Sequence, residues 1–186
     1  VGDISQYTEY WGASLEEGSY ATSYIPTDGG TVTRVADQYS KTGISDLINS
    51  EEGVLFVELE NIVDSAADII MISLTDGSST NRISIFISGG LLSVESAGSG
   101  TNLGIYSKAL QSGFNKIAIK YEASNCVLWV NGTDYTDTSF AAFSSNTLNE
   151  LAFNRGDSTM DFFSKVKQLQ VFKTVLTPSE LQTLTT

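Results

Sequence analysis

The sequence predicts an all-β protein: a two-sheet antiparallel β-sandwich, or jelly roll, closed by one short C-terminal helix. Three observations carry this expectation. Apolar and polar residues alternate with period two in several short stretches. Clusters of Gly, Asn, Asp and Ser separate those stretches at roughly 8 to 12 residue spacing, as in sandwiches. Only the last segment carries the chemistry of a helix start.

Taken in chain order, Val54–Glu60 and Ile69–Thr75 are the first strands. In Arg82–Ser88, Ile83, Ile85 and Ile87 alternate with Ser84, Phe86 and Ser88, which puts one apolar row on one face. Gly89-Gly90 is short enough for a two-residue hairpin into Leu91–Glu95. In Lys116–Glu122 the row Ile117, Ile119, Tyr121 alternates with Lys116, Lys120 and Glu122, the pattern of a half-buried antiparallel strand. Cys126–Asn131 and Leu148–Phe153 follow, and Cys126 reads as a small buried hydrophobe. Asn131-Gly-Thr133 has the form of a glycosylation acceptor, but Asn-Gly is first a hairpin turn. In Phe162–Phe172 the apolar phase changes between Val166 and Leu169, which predicts a β-bulge or bend. Thr177-Pro178-Ser179-Glu180 supplies an N-cap, a first-turn proline and a capping-box glutamate for a helix over 178–184, pinned to the sheet by Leu176, Leu181 and Leu184.

Composition removes much chemistry. The 186 residues include no histidine, which excludes Ser-His-Asp and Cys-His catalysis and the common zinc sites. The single Cys126 excludes an internal disulfide framework. A formal charge of -12, with no dense cluster of basic residues, argues against nucleic acid as a partner. Apolar runs such as Ile69–Ile72 are too short to span a bilayer, so no membrane role is expected. The charge is uneven: residues 1–60 hold eleven acids and two bases, whereas residues 61–186 hold eleven acids and eight bases. Residues 1–30 carry Tyr7, Tyr10, Trp11, Tyr20 and Tyr24 with few aliphatics and end in the turn-rich Pro26-Thr27-Asp28-Gly29-Gly30. They read as an arm before a domain spanning 31–186. Rings on such a segment need covering, by its own sandwich, a second copy or a neighbouring domain.

Several stretches resemble a known superfamily. Gly53–Glu58, Asn81–Ile85, Asn115–Tyr121, Val127–Gly132 and Val171–Leu181 together are similar to the concanavalin A-like lectins and glucanases, in their laminin-G-like branch. Trp11–Thr27, followed by Thr33–Asp37, resembles a junction in bacteriophage tail and other virion surface proteins. The resemblance implies a non-catalytic module that recognises a surface glycan from a tail, fibre or other extracellular appendage, joined to neighbouring domains and assembled as a homotrimer. It leaves two alternatives open. One is a glycan-degrading hydrolase, because Glu58-Leu-Glu60-Asn-Ile-Val-Asp64 is similar to the acid-bearing strand of laminarinase-like glycosidases, although Glu60 replaces an aspartate and Asp64 is displaced by one residue. The other is a purely structural virion spacer.

Sugar recognition needs aromatic rings against pyranose faces and planar polar groups for hydroxyls. Tyr106, Trp129 and Tyr135, with Arg82, Asn154, Arg155 and Asp157, have that chemistry. Trp129, in phase with Val127, also suits the core, and 154–157 also suits a turn closed by a salt link. No cofactor is expected. Calcium is the one metal that the oxygen-rich stretches Asp76–Asn81 and Asn154–Asp157 would suit, though neither has a regular ligand spacing.

Overall fold

In the computed structural model the alternating stretches become strands. The structure describes residues 15, 24–33, 39–61, 69–98, 101–103, 108–122, 125–137 and 143–186. The chain divides into two compact units, Val1–Asp37 and Gln38–Thr186, and the strands belong to the second. In the first unit, the Gly29 N–H donates to the Thr27 carbonyl at 2.8 Å and closes a turn. Tyr7, Tyr10, Trp11 and Tyr20 lie outside the described residues.

Among the described residues the strands are β1 (Ser40–Lys41), β2 (Glu52–Asn61), β3 (Ile69–Thr75), β4 (Arg82–Ser88), β5 (Leu91–Gly98), β6 (Thr101–Leu103), β7 (Lys108–Ala109), β8 (Gly113–Glu122), β9 (Asn125–Val130), β10 (Thr133–Asp137), β11 (Glu150–Ala152) and β12 (Val166–Phe172), followed by helix α1 (Pro178–Thr185). One sheet runs β1-β11-β3-β4-β5-β6, with β7 also on β5; the other runs β10-β9-β8-β2-β12. Every described pairing is antiparallel.

The inner faces meet in one core. From the seven-stranded sheet come Ile72, Leu74, Ile83, Ile85, Ile87, Leu92 and Val94; from the five-stranded sheet come Leu55, Val57, Leu59, Ile117, Ile119, Tyr121, Cys126 and Leu128. The predicted isoleucine rows thus point inward, and Cys126 is buried. The Tyr121 hydroxyl donates to the Asn49 carbonyl at 2.7 Å, which satisfies the one polar atom that its ring carries inside.

The helix forms where its caps predict. Thr177 and Glu180 complete a reciprocal capping box, with Pro178 in the first turn. Leu181 packs with Val54, Phe56, Ala118 and Trp129, flanked by Leu176 and Leu184, so α1 covers the outer face of the five-stranded sheet. That is why β2 is apolar almost throughout: Leu55, Val57 and Leu59 face the other sheet, while Val54 and Phe56 lie beneath the helix.

Both two-residue hairpins are present. Gly89 and Gly90 have φ of 56° and 75°, and Asn131 and Gly132 have 48° and 79°, the left-handed geometry that matches strand twist. Asn131 also ties its turn down: its Oδ1 accepts from the Lys116 N–H at 2.9 Å and its Nδ2 donates to Asn115 Oδ1 at 2.9 Å. The irregularity expected after Val166 lies between Val166 and Gln168, so β12 begins at 166 and not at 162. The 148–153 strand shortens to three residues because the Leu148 N–H turns to Ser50 Oγ at 2.9 Å. Polar β10 and the short β1, β6 and β7 lack an apolar row to announce them.

Candidate functional site

The outer face of the seven-stranded sheet gathers most of the predicted polar residues. On β4 the isoleucines point inward, so Arg82, Ser84, Phe86 and Ser88 point outward. Pairing across the Gly89-Gly90 turn sets Ser84 opposite Glu95 and Arg82 opposite Ala97, which places Glu95 diagonally beside Arg82. Arg82 Nη2 donates to Glu95 Oε2 at 2.6 Å and Nη1 donates to the Ser79 carbonyl. The Arg82 side chain is buried, whereas Glu95 keeps 20% exposure.

Residues 154–159 form a bracket against this face. Ser73 Oγ donates to the Asn154 carbonyl at 2.8 Å, and Asn154 Oδ1 accepts from the Gly156 N–H at 2.6 Å. Gly156 has φ of 97°, and a Cβ there would lie 2.5 Å from Thr75 Oγ1 and 2.8 Å from the Ser78 carbonyl oxygen. Only glycine lets the bracket sit this close to the 75–78 turn. Arg155 donates from Nε at 3.1 Å and from Nη2 at 2.6 Å to one oxygen, Asp157 Oδ2. Asp157 Oδ1 accepts from the Thr159 N–H at 3.2 Å and Oγ1 at 2.6 Å. The Arg155 guanidinium, helped by Thr159, holds the Asp157 carboxyl far below the usual carboxylate range against the opposing effect of burial. The bond to Asp157 raises Arg155 in turn, and the charge of Glu95 adds to it, so the two acid–arginine pairs share one field.

Arg82, Asn154, Arg155 and Asp157 are therefore brought together. Glu95 is the member that residue chemistry alone missed. A two-residue turn at 89–90 fixes which residues face each other, and that count from the turn was the signal that could have found it.

The remaining candidates lie elsewhere. Tyr135 is on β10 of the other sheet, packed against the core margin with Lys108 Nζ 4.6 Å from its ring centre. Trp129 is buried beneath α1, so its ring is engaged in packing. Tyr106 and Asp64 lie outside the described residues. Glu58 and Glu60 share the outer face of the five-stranded sheet, as alternation requires, opposite Lys116 and Phe114. The Glu58 side chain is 8% exposed, and Lys167, at the β12 irregularity, reaches it at 2.7 Å. Lys165 Nζ lies 2.8 Å from Glu60 Oε2. In the 76–81 turn, burial pushes the Asp76 carboxyl up, but hydrogen bonds from Ser78 and Asn81 outweigh it and hold it below its ordinary value. Its two oxygens accept from Ser78 Oγ at 2.6 Å and Asn81 Nδ2 at 2.7 Å. Among the described residues no three acidic or cysteine side chains converge as a metal set, and no helix is long and apolar enough to cross a membrane. A shallow recess of about 370 Å³ opens beside α1, lined by Phe172, Leu176 and Leu184, on the sheet opposite the arginines.

No protein-family model matches the sequence, and no curated protein does. Solved structures do match. The NanB sialidase of Streptococcus pneumoniae superposes with a TM-score of 0.60 at 16% identity, over 80% of this chain and 27% of that one. The CBM40 of the Ruminococcus gnavus IT-sialidase, solved bound to α2,3-sialyllactose, gives 0.54 at 16% identity over 80% of this chain and 98% of that one. Domain 4 of AbnA, an arabinanase of Geobacillus stearothermophilus, solved in complex with arabinotriose, gives 0.55 at 14% identity, over 76% of this chain and 69% of that one. The chain thus spans under a third of the sialidase it matches but nearly all of the isolated CBM40 domain. What these likenesses establish is the fold: this chain is a two-sheet antiparallel β-sandwich, similar to the R. gnavus CBM40 and to domain 4 of AbnA.

Proposed function

We propose that the chain is a non-catalytic carbohydrate-binding module that takes an acidic glycan on the outer face of its seven-stranded sheet. One observation carries the reading. Asp157 grips Arg155 by its Nε–Nη2 edge, while Nη1 has no partner among the described residues and the side chain stays 30% exposed. A guanidinium fixed at one edge and open at the other is poised to pair with a carboxylate. Two of the chain's three arginines stand on this face, each beside one carboxylate, Arg82 with Glu95 and Arg155 with Asp157. Glu95, 20% exposed, supplies a planar polar group on the same face, while the buried Asn154 shapes the loop that carries Arg155.

The relatives in fold support a sugar as ligand: the R. gnavus domain was solved with α2,3- and α2,6-sialyllactose, and the AbnA domain with arabinotriose. Sialyllactose carries the carboxylate that Arg155 suits. Glu58 and Glu60, the acids of the hydrolase alternative, stand on the other sheet, each in a salt bridge with a lysine. The likeness of residues 11–27 and 33–37 to tail-protein junctions supports display on a virion or cell-surface appendage.

The test is a glycan array followed by calorimetry. Binding to sialylated and other carboxylated glycans, lost in Arg155→Ala while that variant keeps the wild-type circular dichroism spectrum, is the expected outcome. Retention of neutral glycans alone, with Arg155→Ala binding as wild type, would overturn the assignment of the site.

A further inference from the structure

The turn that joins β9 to β10 carries the one Asn-Gly step of the sequence, Asn131-Gly132. At such a step a chain readily loses an amide: the glycine nitrogen gives up its proton and attacks the asparagine Cγ, ammonia leaves, and water opens the five-membered imide to aspartate or isoaspartate. Glycine has no side chain to obstruct the attack. In the folded chain the two reacting groups are held by different neighbours. Asn131 Oδ1 accepts from the Lys116 N–H and Nδ2 donates to Asn115 Oδ1, both at 2.9 Å, so the amide is turned onto β8. The Gly132 N–H donates at 3.2 Å to Oγ1 of the buried Thr185, in the last turn of α1, and that hydroxyl donates in turn to the Leu181 carbonyl at 2.8 Å. The helix end lies so close that a Cβ on Gly132 would stand 3.1 Å from Thr186 Oγ1.

We infer that Asn131 is a latent deamidation site, kept closed in the fold by Asn115, Lys116 and Thr185, which converts when the turn opens and then bars the turn from re-forming as it was. The balance is one water taken up and one ammonia released, with no oxidant or cofactor. The barrier to re-forming follows from Asn115, which is fully buried and cannot turn round. Its Nδ2 donates to the Gln111 and Gly113 carbonyls, each at 2.9 Å, and its Oδ1 accepts from the Gln111 N–H at 3.1 Å. That oxygen therefore faces residue 131 as an acceptor. A carboxylate oxygen in place of Nδ2 has no proton to give it, and sets two acceptors against each other beside a buried residue. Isoaspartate instead adds a methylene to the main chain, inside a two-residue turn whose register sets Thr133 opposite Val130.

The experiment incubates the full chain at mildly alkaline pH, folded in buffer and unfolded in guanidinium chloride, and follows the peptide that carries Asn131 by mass spectrometry. Folded wild type should convert at least about tenfold slower than the unfolded chain, because its rate is the open-chain rate scaled by the fraction of time the turn is open. Thr185→Val keeps the shape of the side chain and removes the acceptor, so it should convert about 3- to 10-fold faster than folded wild type, the scale of one hydrogen bond. Asn131→Asp, the product with an ordinary main chain, should melt below wild type. Equal rates in folded and unfolded wild type overturn the inference outright. A Thr185→Val rate equal to that of wild type overturns the part given to α1, and an Asn131→Asp melting temperature equal to that of wild type overturns the barrier to re-forming.

Discussion

Replacing Asp157 by Asn separates two physical pictures of the arginine site by the sign of the effect. If Asp157 merely competes for Arg155, removing its charge should strengthen binding of an anionic sugar. With a ligand carboxylate roughly 6 Å away in a water-like dielectric, that relief is worth about 0.7 kcal/mol. If Asp157 anchors Arg155, its loss frees a side chain whose rotamer entropy is about 2 kcal/mol, to be spent again when ligand binds. The structure favours the anchor, because both Oδ atoms are engaged, Oδ2 by the Nε–Nη2 edge and Oδ1 by Thr159, in a loop already fastened to Ser73. The difference, about 1.3 kcal/mol, is roughly a tenfold loss of affinity for α2,3-sialyllactose by calorimetry. The pH profile follows from the depressed Asp157 carboxyl. Its contribution to stability is complete above the unfolded-state value of about 3.9 and fades as pH falls through the lower folded value. The stability gap between wild type and variant should therefore stay constant from about pH 5 to 8 and close only in stronger acid. A variant that binds tighter than wild type would refute the anchor.

Two further outcomes are expected. Leu181→Ala opens a cavity among Val54, Phe56, Ala118 and Trp129, and should cost about 2–5 kcal/mol in urea unfolding, with red-shifted Trp129 emission in a Trp11→Phe background; unchanged stability and emission would mean that α1 does not seal this face. Chelation with EDTA should leave glycan affinity unchanged, because the oxygens of Asp76 and Asp157 are already engaged by Ser78, Asn81, Arg155 and Thr159; a drop in affinity restored by calcium would show a metal in one of these turns.

What the sequence by itself determined was local. The Ile83-Ile85-Ile87 and Ile117-Ile119-Tyr121 rows, the Gly89-Gly90 and Asn131-Gly132 turns and the capped helix at Thr177 each depend on neighbours within a few residues, and all appear where they are expected. Residue chemistry also picked out Arg82, Asn154, Arg155 and Asp157, because few side chains can read a sugar. Tertiary structure alone decided which of them meet. Asn154 reaches Ser73 across 81 residues of sequence, and Gly156 seats its loop on Thr75 and Ser78. Burial was decided the same way. Trp129 and Glu58 occupy outward positions on their strands, yet a helix fifty residues later covers one and Lys167 covers the other. A strand's period says which residues share a face, but what covers that face is set by segments distant in the chain, and no local pattern encodes that contact.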